Sequence, residues 1–219
     1  ADLLQKSTDH NIEKFITIAV SPDNIQSAFQ LSQDHDLVFC SQGVHPHEAK
    51  GWTKECEDLI KTNSSNSKVV ALGEMGLDYY YNKSPKEKQI EVFETQLELA
   101  CELDLPVIIH TRDADEDTIT VLKKYSTKLK RKGVIHSFTS SIELARFAIE
   151  EGFCLGFNGI ITFKTAQNVR DVLAETPLDR ILIETDAPFL TPDPYRGKEN
   201  APFYLPFITE KIAEVKGVD

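Results

Sequence analysis

Four ionisable residues close short apolar runs along this chain: Ala71-Leu72-Gly73-Glu74, Val107-Ile108-Ile109-His110, Val134-Ile135-His136 and Leu182-Ile183-Glu184-Thr185-Asp186. Two imidazoles and two carboxylates suit a hard-to-borderline divalent cation, because His supplies a neutral nitrogen and a carboxylate can bridge two ions. Paired ions in turn suit hydrolysis at a phosphoryl group. A single His at a strand end is more often a packed imidazole; four such residues in one kind of place weigh against that plain role. Glu184 stands apart from Asp186. Alternation along a strand would turn it toward the helices, where it would accept a backbone or Arg hydrogen bond.

A second constellation, Gly43-Val44-His45-Pro46-His47, follows Val38-Phe39-Cys40. Pro46 restricts the turn, and His45 and His47 can donate to phosphate, lie behind a metal, or simply cap the loop. Arg112, two positions after His110, offers paired donors for a phosphate, with an ion pair to Asp113 or Asp115 as the alternative. Arg196, in Pro194-Tyr195-Arg196-Gly197-Lys198, is a further candidate anion contact. Trp52 and Tyr79-Tyr80-Tyr81 can stack on nucleobases or fill the mouth of the fold. His10 and His35 lie in polar, helical surroundings and read as surface residues. There is no G-x-S-x-G elbow and no H-E-x-x-H helix. Ser137 beside His136 would face the opposite way, and none of the four cysteines sits in a strand-end turn with a partner.

Something must bring these residues together. Seven apolar runs read as strands: Phe15-Val20, Leu37-Cys40, Val69-Leu72, Pro106-Ile109, Gly133-Ile135, Phe153-Phe157 and Arg180-Ile183. Such nearly continuous apolar runs suit parallel strands covered by helices. Ser84-Pro85-Lys86-Glu87 predicts a helix with Ser84 as its cap and Pro85 at the first helical position, and Ser140-Ser141-Ile142-Glu143 predicts another. Leu3-Ile12, Asn168-Glu175 and Pro206-Val215 supply further helices. Helix and strand alternate without a long linker, so the chain reads as a single domain over residues 1–219. The predicted fold is α/β, a TIM-type (β/α)8 barrel lacking its first strand in this chain. In such a barrel the C-terminal strand ends converge on one mouth, where active sites form.

Composition narrows the options. A chain of 219 residues with 41% hydrophobic and 27% charged residues is long enough for one large globular domain. Ten Gly and ten Pro exclude a collagen-like or low-complexity chain. The net charge of -11 argues against a general basic nucleic-acid clamp, though not against a nuclease that meets phosphate through metals and a few local cations. The densest basic stretch, Lys123-Lys124 through Lys128, Lys130, Arg131 and Lys132, reads as a solvated helix end or a substrate contact. No apolar run approaches the roughly 18 residues of a membrane span. Cys40, Cys56, Cys101 and Cys154 lie far apart and read as reduced, which points to the cytoplasm. The only Met is Met75, so the sequence does not begin at a translation start.

Five segments together carry a family resemblance: Gly43-Val44-His45-Pro46-His47, Gly73-Glu74-Met75-Gly76-Leu77-Asp78, His110-Thr111-Arg112, His136-Ser137-Phe138-Thr139 and Glu184-Thr185-Asp186-Ala187-Pro188. In this order they resemble the signatures of the TatD family of metal-dependent deoxyribonucleases, and the likeness covers essentially the whole chain. The resemblance implies a TIM-type barrel and phosphodiester hydrolysis with two divalent metal ions, Mg²⁺ or Mn²⁺ favoured and Zn²⁺ compatible. It implies DNA as partner, cleaved from the 3′ end, with single strands favoured. Glu74 resembles the bridging carboxylate, His110 and His136 ligands of one metal, and Asp186 a ligand of the other and the catalytic group that orients water. His45 and Arg112 resemble substrate-binding residues; His47, Glu184 and Arg196 are candidates for supporting or substrate-loop positions. The family ordinarily begins with a strand carrying a His-x-His pair, and no such pair precedes Phe15. Lys198-Glu199-Asn200-Ala201-Pro202 also departs from the usual wording, with Ala201 where Glu is expected. Hydrolysis of another phosphoester, an aminoacyl ester or a cyclic amide is the alternative activity, and an inactive TatD-like binding protein is the alternative class.

Overall fold

The computed structural model describes residues 2–219. Helices and strands alternate as α1 (Asp2–Thr8), β1 (Phe15–Ile18), α2 (Ile25–Asp34), β2 (Val38–Gln42), α3 (Lys54–Asn63), β3 (Val69–Asp78), α4 (Lys86–Leu103), β4 (Val107–Arg112), α5 (Asp115–Tyr125), β5 (Gly133–Ile135), α6 (Ile142–Glu150), β6 (Cys154–Phe157), α7 (Gln167–Glu175), β7 (Ile181–Ile183) and α8 (Leu205–Lys216). The chain divides into two compact units, Lys14–Ile135 and the pair of segments Ala1–Glu13 and His136–Asp219.

In the Lys14–Ile135 unit, β1 to β5 pair in chain order and all in parallel. Parallel neighbours need a crossover, and α2, α3, α4 and α5 supply one each. Ile60, Leu72, Met75, Leu77, Phe93, Leu97 and Ile109 are sealed from solvent between strands and helices. The second unit repeats the plan once, β6 pairing in parallel with β7 through α7, with Leu155 opposite Ile181. Phe153, Leu155, Phe157, Ile161 and Leu173 form its apolar interior.

β3 is the element that departs furthest from expectation. The apolar run read as a strand ends at Leu72, yet the strand continues to Asp78, so Glu74 lies within it rather than past its end. Leu72 pairs with Val107 and Met75 with Ile109, so β3 carries one extra residue against β4 at this point. The bulge resets the alternation: Met75 and Leu77 are fully buried, and Glu74, Gly76 and Asp78 fall on the other face. Gly73 and Gly76 have φ of +127° and +140°, and a Cβ at either would run into the carbonyl oxygen of Ile108 or His110. These glycines permit close approach of backbones rather than breaking the strand.

Helix starts follow the local chemistry in part. Thr53 accepts from the N–H of Cys56 at the start of α3, and Ser141 from that of Leu144 at the start of α6. α5 opens on Asp115-Glu116-Asp117 and ends on Lys123-Lys124, matching the sign of the helix dipole at both ends; Lys124 also pairs with Glu94 at 2.6 Å. Ser84, expected to cap α4, does not. Pro85 stays extended at ψ 142° just before Lys86. Ser84 Oγ instead donates to the carbonyl of His47 (2.9 Å) and accepts from the N–H of Lys50 (3.1 Å), tying α4 to the turn Pro46–Gly51. Replacing the working cap, Ser141→Ala, should lower stability by about 1 kcal/mol in urea unfolding; an unchanged midpoint would show that the bond contributes nothing. No helix among the described residues is long and apolar enough to cross a membrane.

Candidate metal centre

The Lys14–Ile135 unit gathers five ionisable side chains from three neighbouring strands. His45 follows β2, Glu74 and Asp78 lie on β3 beyond the bulge, and His110 lies on β4 opposite Gly76. His110 Nδ1 is 3.0 Å from Glu74 Oε1, and His110 Nε2 is 3.0 Å from Asp78 Oδ2. His45 Nε2 lies 3.5 Å from the same Glu74 oxygen. One ligand atom each from His45, Glu74 and His110 fall within 4.8 Å of one another. His47 Nε2 is 3.0 Å from Asp78 Oδ2, off the axis a hydrogen bond needs. A His in touch with a carboxylate on each ring nitrogen is the arrangement in which one carboxylate orients the ring while the other nitrogen faces a cation.

The charges follow from this packing. Burial opposes charge on both Asp78 and His110, but their mutual hydrogen bond, joined at Asp78 by the N–H of Tyr81 and at His110 by Glu74, outweighs it. Asp78 is therefore held well below the usual carboxylate range and His110 above the usual imidazole value. His45 goes the other way, pushed down to about 3 by burial, with the nearby His110 and His47 adding to the shift against Glu74. Its Nδ1 accepts from the N–H of His47 (3.1 Å), so the neutral ring carries its proton on Nε2. His45 thus offers a donor, whereas His110 Nδ1 and Glu74 Oε1 are two acceptors that require a proton or a cation between them. That donor set fits a divalent ion held by Glu74 and His110, with His45 beside it.

Two buried glutamines of α4, absent from the sequence reading, hold this cluster. Gln96 accepts from the N–H of Val44 (2.8 Å) and donates to its carbonyl (3.0 Å), which fixes the residue before His45. Gln89 does the same for Asp78, at 2.8 and 3.1 Å, and also donates to the carbonyl of Ser84. The available signal was two amides seven positions apart on the face that also carries Phe93 and Leu97.

The second unit builds its own cluster. His136, immediately after β5, directs Nδ1 to Glu184 Oε2 (2.9 Å) and Nε2 toward Asp186 Oδ1 (3.4 Å). Glu184 Oε1 accepts from the N–H of Ser137 at 2.6 Å. Glu184 therefore takes the backbone hydrogen bond weighed from the sequence, and with it orients the His136 ring. Gly156 makes room for that carboxylate, since a Cβ there would lie 2.7 Å from Glu184 Oε2. Ser137 accepts from Asn158 Nδ2 (2.8 Å), which leaves its hydroxyl a structural bond rather than a pairing with His136. Asn200, also buried, donates to the carbonyls of Thr185 and Phe189 and so fastens the turn that carries Asp186. Ala201 is buried at its side, 5% exposed, so the residue expected as Glu is a small apolar group in a closed position.

The remaining candidates lie on the periphery of their units. Arg112 lies over the rings of Tyr80 (4.0 Å) and Tyr81 (5.0 Å). Arg196 lies over Phe163 at 4.0 Å. His10 is exposed and contacts the carbonyl of Lys6, and Trp52 is half-buried after the turn Pro46–Gly51.

Parallel strands joined by helices, ending in imidazoles backed by carboxylates, make this a metal-dependent hydrolase of the TIM-barrel type. The chain belongs to the family of TatD-related DNases, whose description matches residues 1–219. It is 43% identical over 215 residues to YabD of Bacillus subtilis, named an uncharacterized metal-dependent hydrolase, covering 98% of this chain and 84% of YabD. It is 34% identical to a protein of Erwinia tasmaniensis named 3′-5′ ssDNA/RNA exonuclease TatD, over 99% of this chain and 86% of that one. Among solved structures, YJJV, a TatD homologue from Escherichia coli, superposes with a TM-score of 0.91 at 30% identity, over 98% of this chain and 83% of YJJV.

Proposed function

We propose that this hydrolase cleaves phosphodiester bonds of DNA, removing nucleotides from the 3′ end of single strands. The observation that carries the reading is His110 Nδ1 facing Glu74 Oε1 at 3.0 Å, with His45 beside them as a donor and Arg112 unburied two positions along β4. In this reading Glu74, His110, His136 and Asp186 hold two divalent ions, with Mg²⁺ or Mn²⁺ suited to a phosphate substrate and Zn²⁺ compatible with the imidazoles. The ions, when bound, supply charge stabilisation at the phosphoryl group. His45, neutral and protonated on Nε2, donates to a phosphate oxygen, and Arg112 grips a neighbouring phosphate with its paired N–H groups. Asp186 orients the attacking water and accepts its proton. Asp78 and Glu184 keep His110 and His136 turned toward the ions, with His47 and Arg196 in support.

The whole chain acts in this reading as one hydrolase domain. Four thiols without a disulfide among the described residues favour a reducing compartment, the cytoplasm. The test is a chelator-stripped protein reloaded with Mg²⁺, Mn²⁺ or Zn²⁺ and given 5′-labelled single-stranded and duplex DNA. A ladder shortening from the 3′ end, dependent on added metal, is the expected result. Hydrolysis of small carboxylic esters or cyclic amides without any DNA cleavage would overturn it.

A further inference from the structure

The rings that follow β3 continue the histidine cluster outward without a break. His45 and His47 have ring centroids 4.4 Å apart, His47 meets Tyr81 edge-on at 5.4 Å, and Tyr81 meets Tyr80 edge-on at 4.9 Å. Both tyrosines are large aromatic groups left in water, 58% and 54% exposed. Large rings exposed side by side, rather than singly, mark a surface that meets another molecule. Cations surround them: Arg112 over Tyr80 and Tyr81, Lys83 at 5.6 Å from the Tyr81 centroid, and Lys86 at 4.0 Å from that of Tyr79. Tyr79, by contrast, is fastened by its hydroxyl to Asp117. Flat rings open to solvent, set among cations in an otherwise acidic protein, match the chemistry of a single-stranded nucleic acid, whose bases stack while its phosphates pair with cations.

We propose that Tyr80 and Tyr81, standing edge to face, form a shelf with an upright wall, so that the terminal base of a single strand lies flat on one ring and against the other, while Arg112 holds the adjoining phosphate. The proposal rests on the reading of the protein as a nuclease and adds the group that recognises the strand end. Stacking of this kind is sequence-tolerant, because every base has a π-face.

The experiment compares one 5′-labelled oligonucleotide with a normal 3′-terminal nucleotide against the same strand ending in an abasic site. Wild-type protein should show a KM about tenfold lower for the base-bearing strand. In Tyr80→Leu and Tyr81→Leu that preference should shrink toward one, with the fold checked by circular dichroism. Wild-type protein that treats both strands alike, or variants that keep the preference, would overturn the shelf. Should wild-type protein cleave neither strand with Mg²⁺ or Mn²⁺ present, the nuclease reading fails, and the shelf is judged by binding alone. Quenching of a terminal 2-aminopurine by wild-type protein and not by the variants supports it; no quenching by wild type overturns it.

Discussion

His110→Ala should lose divalent-metal binding and with it at least about a hundredfold in phosphodiesterase activity. Removing a residue that merely orients a ligand typically costs ten- to a hundredfold. His110 faces Glu74 and Asp78 at 3.0 Å each, so its loss removes a nitrogen ligand and strips a buried carboxylate of its main partner. Asp78 keeps the N–H of Tyr81 as donor, which should let the chain fold. The measurement is metal stoichiometry by elemental analysis on protein whose circular dichroism matches wild type. An unchanged metal content would take His110 out of the ligand set.

The second large effect is expected at a residue with no ionisable group. Gly156→Ala places a methyl 2.7 Å from Glu184 Oε2, and the backbone of β6 beside it cannot move freely because it pairs with β7. Glu184 must swing away, releasing both His136 Nδ1 and the N–H of Ser137. Loss of an orienting carboxylate predicts a ten- to hundredfold drop in metal affinity or turnover, about the range of such partners elsewhere. Glu184→Gln should be milder, since an amide oxygen can still accept from one of the two donors. Gly156→Ala with wild-type metal affinity and rate would show that the orientation of His136 by Glu184 is without consequence.

Much of the frame was legible in the sequence because parallel strands are apolar along their whole length. All seven runs became strands; His136 and Asp186 lie past strand ends as the pattern required, while β4 runs two residues beyond His110. The start of α6 at Ser140-Ser141 was legible from local chemistry, but the hydroxyl that meets an orphan N–H three residues on is that of Ser141, one position past the Ser140 that heads the box pattern. Ser84 offered the same signal and found a tertiary partner, the His47 loop, that no local pattern announces. β3 failed at its glycines. The apolar run stops at Leu72, whereas the strand runs on through Gly73 and Gly76 where β4 crowds β3, which only pairing shows.

The site was legible in its charged members and illegible in what aims them. Asp78 sat within a quoted motif, yet its burial and its hold on His110 come from the bulge, a register effect between two strands. Gln89 and Gln96 were not singled out in the sequence. Their partners are main-chain groups, which carry no sequence signature at all.

Those two amides give α4 the character of a gauge. Gln89 and Gln96 stand two turns apart, about 10.5 Å along the axis, and each clasps both polar atoms of one peptide residue, Asp78 at one end and Val44 at the other. The separation of the loop bearing His45 from the end of β3 is thus measured off by the rise of a helix, the stiffest ruler a polypeptide offers. A loop and a strand end that no covalent connection holds at a fixed spacing thereby share one rigid datum.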